Sequence, residues 1–294
     1  MKNFGRVLTA MITPFNEDYS VNYTAAAELA KYLVAHGNDG LVVAGSTGES
    51  ATLSADEKLR LFSTVLEAVG DRATVIAGTG SNDTLASIRL TQEAEKLGVH
   101  GAMLVGPYYN KPPQEGFYQH FKMIAEQTEL PLIVYNVPGR TASNILPPTI
   151  ARLSEIPNIV AVKEASGSLD QVSEIVRTAR PGFQVYSGDD ALTLPVLAVG
   201  GCGIISVAGH AVAERMQEMI GAYLAGDVKK AQTIHLELMP FFKVIFVTTN
   251  PIPIKTAVNL MGLTGGNFRP PMVPPTAAET EQLRNVMRNL HIIA

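Results

Sequence analysis

The sequence predicts a (β/α)8 TIM barrel followed by a helical C-terminal extension. Short apolar runs rich in β-branched residues alternate with amphipathic helical patterns, and the runs recur every ~20–35 residues, which is the spacing of βα units. Several runs are continuously apolar, as expected for strands that are buried on both faces of a parallel sheet. The eight predicted strands are Val7–Thr13, Gly40–Gly45, Thr74–Gly80, Gly101–Pro107, Leu132–Pro138, Ile159–Ala165, Phe183–Asp189 and Gly203–Gly209.

The segments between these strands have the apolar spacing of helices. The segment Ser54–Val69 opens with Ser54 and carries Glu57 three residues later, which predicts a capping box at the helix start. The other helices predicted between strands are Asn22–Ala35, Thr84–Leu97, Gln114–Gln127, Leu169–Ala179 and Glu214–Ala225.

A closed barrel is favoured over an open doubly wound sheet, which is the main alternative. The open fold usually has a G-x-G-x-x-G turn after its first strand, whereas the first predicted strand here runs into Pro14 and Phe15. The length of 294 residues also suits a single barrel with an extension.

Residues 226–294 follow the eighth βα unit and are predicted to be mostly helical. Their helical patterns are Val228–Val247, Ile254–Met261 and Thr276–Leu290, separated by proline-rich breaks. We therefore predict two domains, a catalytic barrel of residues 1–225 and a C-terminal helical domain of residues 226–294.

Composition excludes several classes of protein. Hydrophobic residues make up 46% of the chain and charged residues 17%, which is typical of a compact globular protein. The net charge of −4 and the absence of a basic run give no reason to expect a nucleic-acid partner. The single cysteine, Cys202, and the scattered histidines predict no disulfide, no metal site and no cofactor cluster. No apolar run reaches membrane-spanning length and no secretory signal is recognised, so we expect a cytoplasmic location.

Polar side chains collect where the predicted strands end. The carboxyl ends of barrel strands carry the chemistry of TIM-barrel enzymes, so these positions are the candidate site. They hold hydroxyls, a lysine and an arginine, in the segments Gly45–Ser50, Gly78–Gly80, Pro107–Asn110, Tyr135–Thr141, Lys163–Glu164 and Gly188–Asp190, with Thr13 and Ser206 on the first and last strands.

Lys163 is the most informative of these residues. It ends the apolar run Ile159–Ala165, and a lysine held in a desolvated site loses its proton more easily and can then attack a carbonyl carbon. A lysine that has left the sheet and reaches water explains the local pattern equally well. Tyr135, Thr47 and Tyr109 at neighbouring strand ends favour chemistry, because hydroxyls relay protons without placing a competing charge beside the lysine. Each tyrosine alone is more often an amphipathic residue at the edge of the core.

Arg140 and the glycines near the strand ends suggest an anion site. A guanidinium suits bidentate capture of a carboxylate, although most loop arginines are solvated surface residues. Gly45, Gly48, Gly78 and Gly80 allow backbone N–H groups to approach a small anion, and ordinary turns explain them as well.

At these residues the chain resembles the dihydrodipicolinate synthase and N-acetylneuraminate lyase superfamily, from about Gly5 to the C-terminus. The motifs that carry the resemblance occur in order at the predicted strand ends. They are GSTGES at Gly45–Ser50, PYYNKP at Pro107–Pro112, YNVPGRT at Tyr135–Thr141, VKEASG at Val162–Gly167 and SGDD at Ser187–Asp190.

The resemblance implies an enzyme without a cofactor that condenses pyruvate with L-aspartate 4-semialdehyde to 4-hydroxy-tetrahydrodipicolinate, in lysine and diaminopimelate synthesis. Lys163 would form a Schiff base with pyruvate. Tyr135, Thr47 and Tyr109 would form a proton relay, with Tyr109 reaching in from a neighbouring subunit of a homotetramer built as a dimer of dimers. The implied substrate-binding residues are Ser46 and Thr47 for the pyruvate carboxylate, Arg140 for the second substrate, and the main-chain carbonyls of Gly188 and Ile205.

Two departures from the family pattern bear on function. The synthases mostly carry Thr-Thr where this chain has Ser46-Thr47, so this motif does not separate synthases from lyases, whereas the loop with Arg140 is typical of synthases. Lysine-inhibited members carry histidine and glutamate at an effector site, and the matching positions here are Ala55, Lys58 and Ala86. We therefore predict weak or absent inhibition by lysine.

Two alternatives remain open at this point. One is a lyase of the same superfamily that releases pyruvate from N-acetylneuraminate or a 2-keto-3-deoxy sugar acid. The other is a barrel that binds a keto acid without turnover.

Overall fold

The computed structural model describes residues 4–294, and within that range it confirms the predicted barrel. Eight parallel strands close on one another in chain order, with β1 paired to both β2 and β8. The strands are β1 (Val7–Ala10), β2 (Gly40–Val43), β3 (Thr74–Gly78), β4 (Gly101–Val105), β5 (Leu132–Asn136), β6 (Ile159–Glu164), β7 (Gln184–Ser187) and β8 (Gly203–Ser206). Most predicted strands extend a few residues too far, because the chain leaves the sheet at the polar residues that line the barrel mouth.

The helices predicted between strands are present with small changes in their bounds. Ser54 caps its helix by accepting from the Glu57 N–H, and the Glu57 carboxylate accepts from the Ser54 N–H, so the predicted capping box is confirmed. The helices within residues 4–294 are α1 (Tyr23–Ala35), α2 (Ala55–Val69), α3 (Thr84–Lys96), α4 (Gln114–Ala125), α5 (Pro138–Thr141), α6 (Pro147–Ser154), α7 (Leu169–Thr178), α8 (Thr193–Ala198), α9 (Gly209–Leu224), α10 (Val228–Val244), α11 (Ile252–Leu260) and α12 (Ala277–Asn289).

Three short helices, α5, α6 and α8, were not predicted. Prolines stand at the start of α5 and α6, where the missing N–H is harmless because the first turn has no intrahelical acceptor for it. The prediction placed Arg140 in a loop, and this was wrong, because Arg140 lies in the single turn of α5.

The barrel interior is filled by side chains and is not a pore. Each strand contributes at least one residue to a single apolar cluster, which includes, one from each strand, Leu8, Val42, Ile76, Met103, Ile133, Ala161, Tyr186 and Ile205. All eight are buried, so the lower part of the barrel is a packed core. The open end of the barrel at the strand termini is therefore where a substrate has room.

The helices after Ala225 pack against the outside of the barrel. Leu238 and Phe241 of α10 and Val258 of α11 are buried in the same apolar cluster as the barrel's outer helices. The loop that joins α10 to α11 returns to the barrel mouth, where Asn250 meets the site described below. In residues 4–294 the structure contains no helix with the length and apolarity needed to cross a bilayer.

Candidate active site

Lys163 lies at the mouth of the barrel, with its side chain on the inner face of β6. Side chains alternate along a strand, and Ala161, two residues earlier, belongs to the interior cluster. Lys163 is 4% exposed, which rules out a lysine that reaches water. Tyr135 is its register partner on β5, and the Lys163 Nζ lies 4.3 Å from the centroid of the Tyr135 ring. The structure thus places the predicted nucleophile and the predicted proton donor in contact.

The surroundings of Lys163 favour the neutral amine. Burial lowers the pKa of Lys163 to about 8, the positive charge of Arg140 acts in the same direction, and the Asp190 carboxyl opposes both. Within residues 4–294 Lys163 makes no ion pair. About a tenth of its amine is therefore unprotonated at pH 7, far more than for a lysine of ordinary pKa, and attack on a carbonyl carbon requires this neutral form.

Tyr135 is buried, and its phenol is hydrogen-bonded to the Ser46 side chain. Burial raises the pKa of the Tyr135 phenol, so at neutral pH the phenol keeps the proton that a donor needs. The Thr47 Oγ1 accepts from the Asn250 Nδ2 at 3.0 Å, and the place of Thr47 in the relay stays a prediction. Of these two consecutive residues, Ser46 thus bonds to the Tyr135 phenol and Thr47 bonds to Asn250.

The turn after β2 presents free hydrogen-bond donors. Within residues 4–294 the backbone N–H groups of Ser46 and Thr47 donate to no other group. The Thr13 hydroxyl, in the segment that follows β1, fixes this turn by donating to the Gly48 carbonyl at 2.7 Å. A Cβ on Gly78 would lie 2.4 Å from the Ala44 carbonyl oxygen, so only glycine allows β3 to approach the turn this closely. Free N–H groups in a fixed turn suit a small anion.

Arg140 lines a cavity of about 250 Å³ that opens at the barrel mouth, together with Ser46 and Asn250. Its Nη2 donates to the Asn250 carbonyl oxygen at 2.9 Å, which holds one edge of the guanidinium and leaves the other donors for a ligand. A smaller cavity beside it is lined by Ser46 and Tyr135, and Tyr135 connects this cavity to Lys163.

Of the other two predicted substrate-binding residues, Gly188 lies against Lys163 and Ile205 lies in the barrel interior. A Cβ on Gly188 would lie 2.6 Å from the Ala165 Cβ and 3.2 Å from the Lys163 Cε, so any side chain at this position would clash with Ala165 and crowd the lysine. Ile205 is fully buried on β8, in the interior cluster that also contains Tyr135.

Tyr109, unlike Tyr135, is a predicted relay residue that the structure does not place beside Lys163. Its side chain is 89% exposed, and its backbone has a φ of 72°, a conformation that costs a non-glycine residue free energy. The resemblance assigns Tyr109 to the site of a neighbouring subunit, and an exposed aromatic side chain on a constrained backbone is compatible with that role.

Sequence reasoning missed four polar residues around the site. Asp190 is buried and accepts from the Ser206 hydroxyl at 2.5 Å and from two backbone N–H groups at 3.1 Å, and burial raises its pKa to about 6. Glu49 and Lys255 form a fully buried ion pair, and Asn250 contacts Thr47. Glu49 lies in the motif GSTGES and Asp190 in the motif SGDD, so the sequence contained a signal for both. Asn250 and Lys255 lie in the C-terminal segment, where no motif marked them.

The Glu49–Lys255 pair joins the turn after β2 to α11. The Lys255 Nζ donates to the Glu49 Oε1 at 2.8 Å and lies 4.3 Å from the centroid of the Phe15 ring. Burial lowers the pKa of Lys255, and the carboxylate of Glu49 opposes this. The pair sets the position of the C-terminal segment over the barrel mouth.

Replacing Lys255 by methionine should lower the free energy of unfolding by about 3–5 kcal/mol, because the buried Glu49 carboxylate loses its counter-charge. Denaturant unfolding at a fixed protein concentration measures this. The double variant Glu49→Gln/Lys255→Met should recover part of the loss, since no buried charge remains. As a control, Lys122→Met breaks a solvent-exposed pair with Glu126 and should change stability by less than ~1 kcal/mol. A Lys255→Met protein as stable as wild type would contradict a structural role for the pair.

No group of three or more histidine, cysteine, aspartate or glutamate side chains in residues 4–294 is arranged to hold a metal ion. The polar groups at the barrel mouth are instead an amine, hydroxyls, a guanidinium and backbone N–H groups.

Comparison with known proteins yields close relatives over the whole chain. The family model described as "Dihydrodipicolinate synthetase family" matches residues 3–290. The chain is 58% identical to the 4-hydroxy-tetrahydrodipicolinate synthase of Cyanothece sp. over 100% of both chains, and 58% identical to that of Heliobacterium modesticaldum over 97% of this chain and 95% of the other. The crystal structure of the synthase from Cyanidioschyzon merolae with lysine bound superposes with a TM-score of 0.97 at 46% identity, covering 99% of each chain. With an inner-face lysine and tyrosine at the mouth of an eight-stranded barrel, the chain belongs to the dihydrodipicolinate synthetase family.

Proposed function

We propose that the protein condenses pyruvate with L-aspartate 4-semialdehyde to give 4-hydroxy-tetrahydrodipicolinate, through a Schiff base on Lys163. The observation that carries this proposal is the buried Lys163 amine, with its pKa lowered to about 8, in contact with Tyr135. Relatives that are 58% identical over nearly their whole length bear the name of this activity.

The chemistry assigns a role to each group at the barrel mouth. The neutral Lys163 amine attacks the ketone carbon of pyruvate, and the carbinolamine loses water to form an imine. Loss of a methyl proton gives an enamine, whose carbon attacks the aldehyde of the second substrate. Closure of that substrate's amine onto the imine carbon then releases Lys163. Tyr135 and the Ser46 hydroxyl that bonds it move the protons, and Tyr109 of a neighbouring subunit completes the relay.

The two substrates occupy different parts of the mouth in this proposal. The free N–H groups of Ser46 and Thr47 hold the pyruvate carboxylate. The main-chain carbonyls of Gly188, which lies against Lys163, and of Ile205 line the pocket. Arg140, whose guanidinium is anchored to Asn250 on one edge, takes the carboxylate of the second substrate in the cavity of about 250 Å³.

The choice of second substrate is tested by assaying the purified protein with both reaction types. We expect product from pyruvate and L-aspartate 4-semialdehyde, and no pyruvate release from N-acetylneuraminate or 2-keto-3-deoxy sugar acids. Arg140→Ala should raise the KM for the semialdehyde while the pyruvate adduct on Lys163 still forms. Pyruvate release from a sugar acid without condensation would replace the synthase by a lyase, and condensation unaffected by Arg140→Ala would remove Arg140 from substrate binding.

The same proposal covers the oligomeric state, the division into domains and the location of the protein. In a homotetramer built as a dimer of dimers, the Tyr109 side chain, which is 89% exposed in the single chain, enters the site of a neighbouring subunit. The catalytic barrel comprises residues 1–225, of which the first three lie outside the described range, and residues 226–294 form the C-terminal helical domain. The reaction needs no cofactor, and the proposed location is the cytoplasm.

Weak or absent inhibition by lysine stays a prediction. The Cyanidioschyzon merolae relative has lysine bound in its crystal structure, whereas the matching effector positions in this chain are Ala55, Lys58 and Ala86. Lys58 lines the cavity of about 250 Å³, and a fixed cation there repels a cationic effector.

A further inference from the structure

Asn250 connects the C-terminal segment to two residues of the candidate site. It lies just before α11, and its side chain is buried. Its Nδ2 donates to the Thr47 Oγ1 at 3.0 Å, and its carbonyl oxygen accepts from the Arg140 Nη2 at 2.9 Å. A residue from outside the barrel therefore contacts both a hydroxyl and the guanidinium at the barrel mouth.

The direction of the bond to Thr47 decides where the Thr47 proton points. An amide nitrogen can only donate, so Thr47 accepts with its oxygen and keeps its own proton for another acceptor. Within residues 4–294 that proton has no acceptor, and the neighbouring N–H groups of Ser46 and Thr47 are also free. A donor bonded to the hydroxyl oxygen also polarises the O–H and strengthens the bond that it gives.

Only one of the two polar atoms of the Asn250 side-chain amide has a hydrogen-bond partner among residues 4–294. Its Oδ1 is buried and has no hydrogen-bond partner among residues 4–294. A buried unpaired acceptor costs free energy, and such departures from satisfied hydrogen bonding are expected at functional positions rather than at structural ones. The bond to Thr47 is thus the side-chain hydrogen bond that the Asn250 amide makes among residues 4–294.

We propose that Asn250 is a positioning residue for pyruvate, which directs the Thr47 proton toward the keto-acid carboxylate. The carboxylate then receives three donors from one turn, namely the Thr47 hydroxyl and the N–H groups of Ser46 and Thr47. This inference rests on the proposed function, because it assumes that pyruvate binds next to Lys163.

The segment that carries Asn250 is anchored independently of the bond to Thr47. The buried Lys255–Glu49 pair fixes α11, and Arg269 donates to Glu57 at 2.7 Å and to the Thr52 carbonyl at 2.7 Å. Changing the Asn250 side chain therefore leaves the segment in place and affects the Thr47 hydroxyl.

The test measures how borohydride trapping of pyruvate on Lys163 depends on pyruvate concentration, without the second substrate. For Asn250→Ala we expect the half-saturating pyruvate concentration to rise about tenfold, with the maximal amount of adduct unchanged. For Asn250→Asp the half-saturating pyruvate concentration should rise further. A carboxylate at position 250 cannot donate to Thr47, draws the Thr47 proton toward itself and repels the pyruvate carboxylate. In steady-state assays the KM for pyruvate should increase and kcat should stay within about twofold of wild type.

Thr47→Val supplies the second half of a double-mutant cycle. Because the proposed effect of Asn250 passes through the Thr47 hydroxyl, Asn250→Ala in a Thr47→Val background should cause no further rise in half-saturating pyruvate. The matched control is Thr256→Ala, which removes a side-chain hydrogen bond within α11 and should leave pyruvate dependence unchanged.

The possible outcomes separate this inference from the proposed function. If the wild-type protein forms no adduct, the Schiff-base function itself is wrong. If the wild type forms the adduct and Asn250→Ala binds pyruvate normally, or its effect adds to that of Thr47→Val, the positioning role is wrong. Wild-type behaviour of Asn250→Asp would mean that Asn250 accepts from Thr47, which would also overturn the inference.

Discussion

Replacing Lys163 by alanine or methionine abolishes the pyruvate adduct and the condensation reaction, if Lys163 is the nucleophile. Lys163 is the lysine whose amine contacts Tyr135, so without it the covalent route is lost and is not merely slowed. Borohydride reduction in the presence of pyruvate, followed by peptide mass mapping, should find the adduct on Lys163 of the wild-type protein. Lys229→Ala, at an exposed position on α10, is the matched control and should form a normal amount of adduct.

The pH dependence of adduct formation gives a second measure of the same residue. Only the neutral amine attacks, and the pKa of Lys163 is lowered by burial to about 8. The rate of adduct formation should therefore rise about tenfold per pH unit below pH 8 and level off above it. A rate that continues to rise toward pH 10 would show an amine with an ordinary pKa. A folded wild-type protein that forms no adduct would exclude the Schiff-base mechanism and favour a passive keto-acid binder.

Replacing Tyr135 by phenylalanine should lower kcat about 10²- to 10⁴-fold, the range for loss of a general acid–base group. The variant keeps the ring that contacts Lys163 and loses only the hydroxyl that bonds to Ser46. Adduct formation on Lys163 should slow but persist, which separates proton transfer from nucleophilic attack. Tyr223→Phe on the outer helix α9 is the control and should retain full activity.

An activity of Tyr135→Phe within twofold of wild type would remove Tyr135 from the relay. Comparison with Ser46→Ala and Thr47→Val then identifies the relay hydroxyl. Because Ser46 and not Thr47 bonds to Tyr135, Ser46→Ala should lower kcat, whereas Thr47→Val should act mainly on the KM for pyruvate.

The fold was predictable from the sequence because its determinants are local and periodic. Each strand is an apolar run, each longer helix has a clear apolar spacing, and the capping box of α2 is visible as Ser54 and Glu57. The helix α5 was not predictable in this way, since a single turn of Pro138–Thr141 has no periodicity to detect.

The candidate site was predictable only where it lies at strand ends. Lys163 and Tyr135 follow apolar runs, and the closed parallel barrel necessarily brings the ends of β5 and β6 together. The contact of Asn250 with Thr47 joins residues 203 positions apart in the chain. The choice between Ser46 and Thr47 as the partner of Tyr135 depends on backbone angles in one turn, which residue types alone do not define.

The pairing of Lys163 with Tyr135 across β5 and β6 has a consequence for redesign of this enzyme. The spacing of the proposed nucleophile and proton donor is set by backbone hydrogen bonds of the barrel, whereas the groups proposed to bind the second substrate lie on α5 and on the loop before α11. Positions in those outer segments can be randomised to find variants that accept other aldehydes, while the carbon–carbon bond-forming step stays intact. Libraries directed at Arg140 and its neighbours should therefore yield active variants more often than libraries directed at the strands.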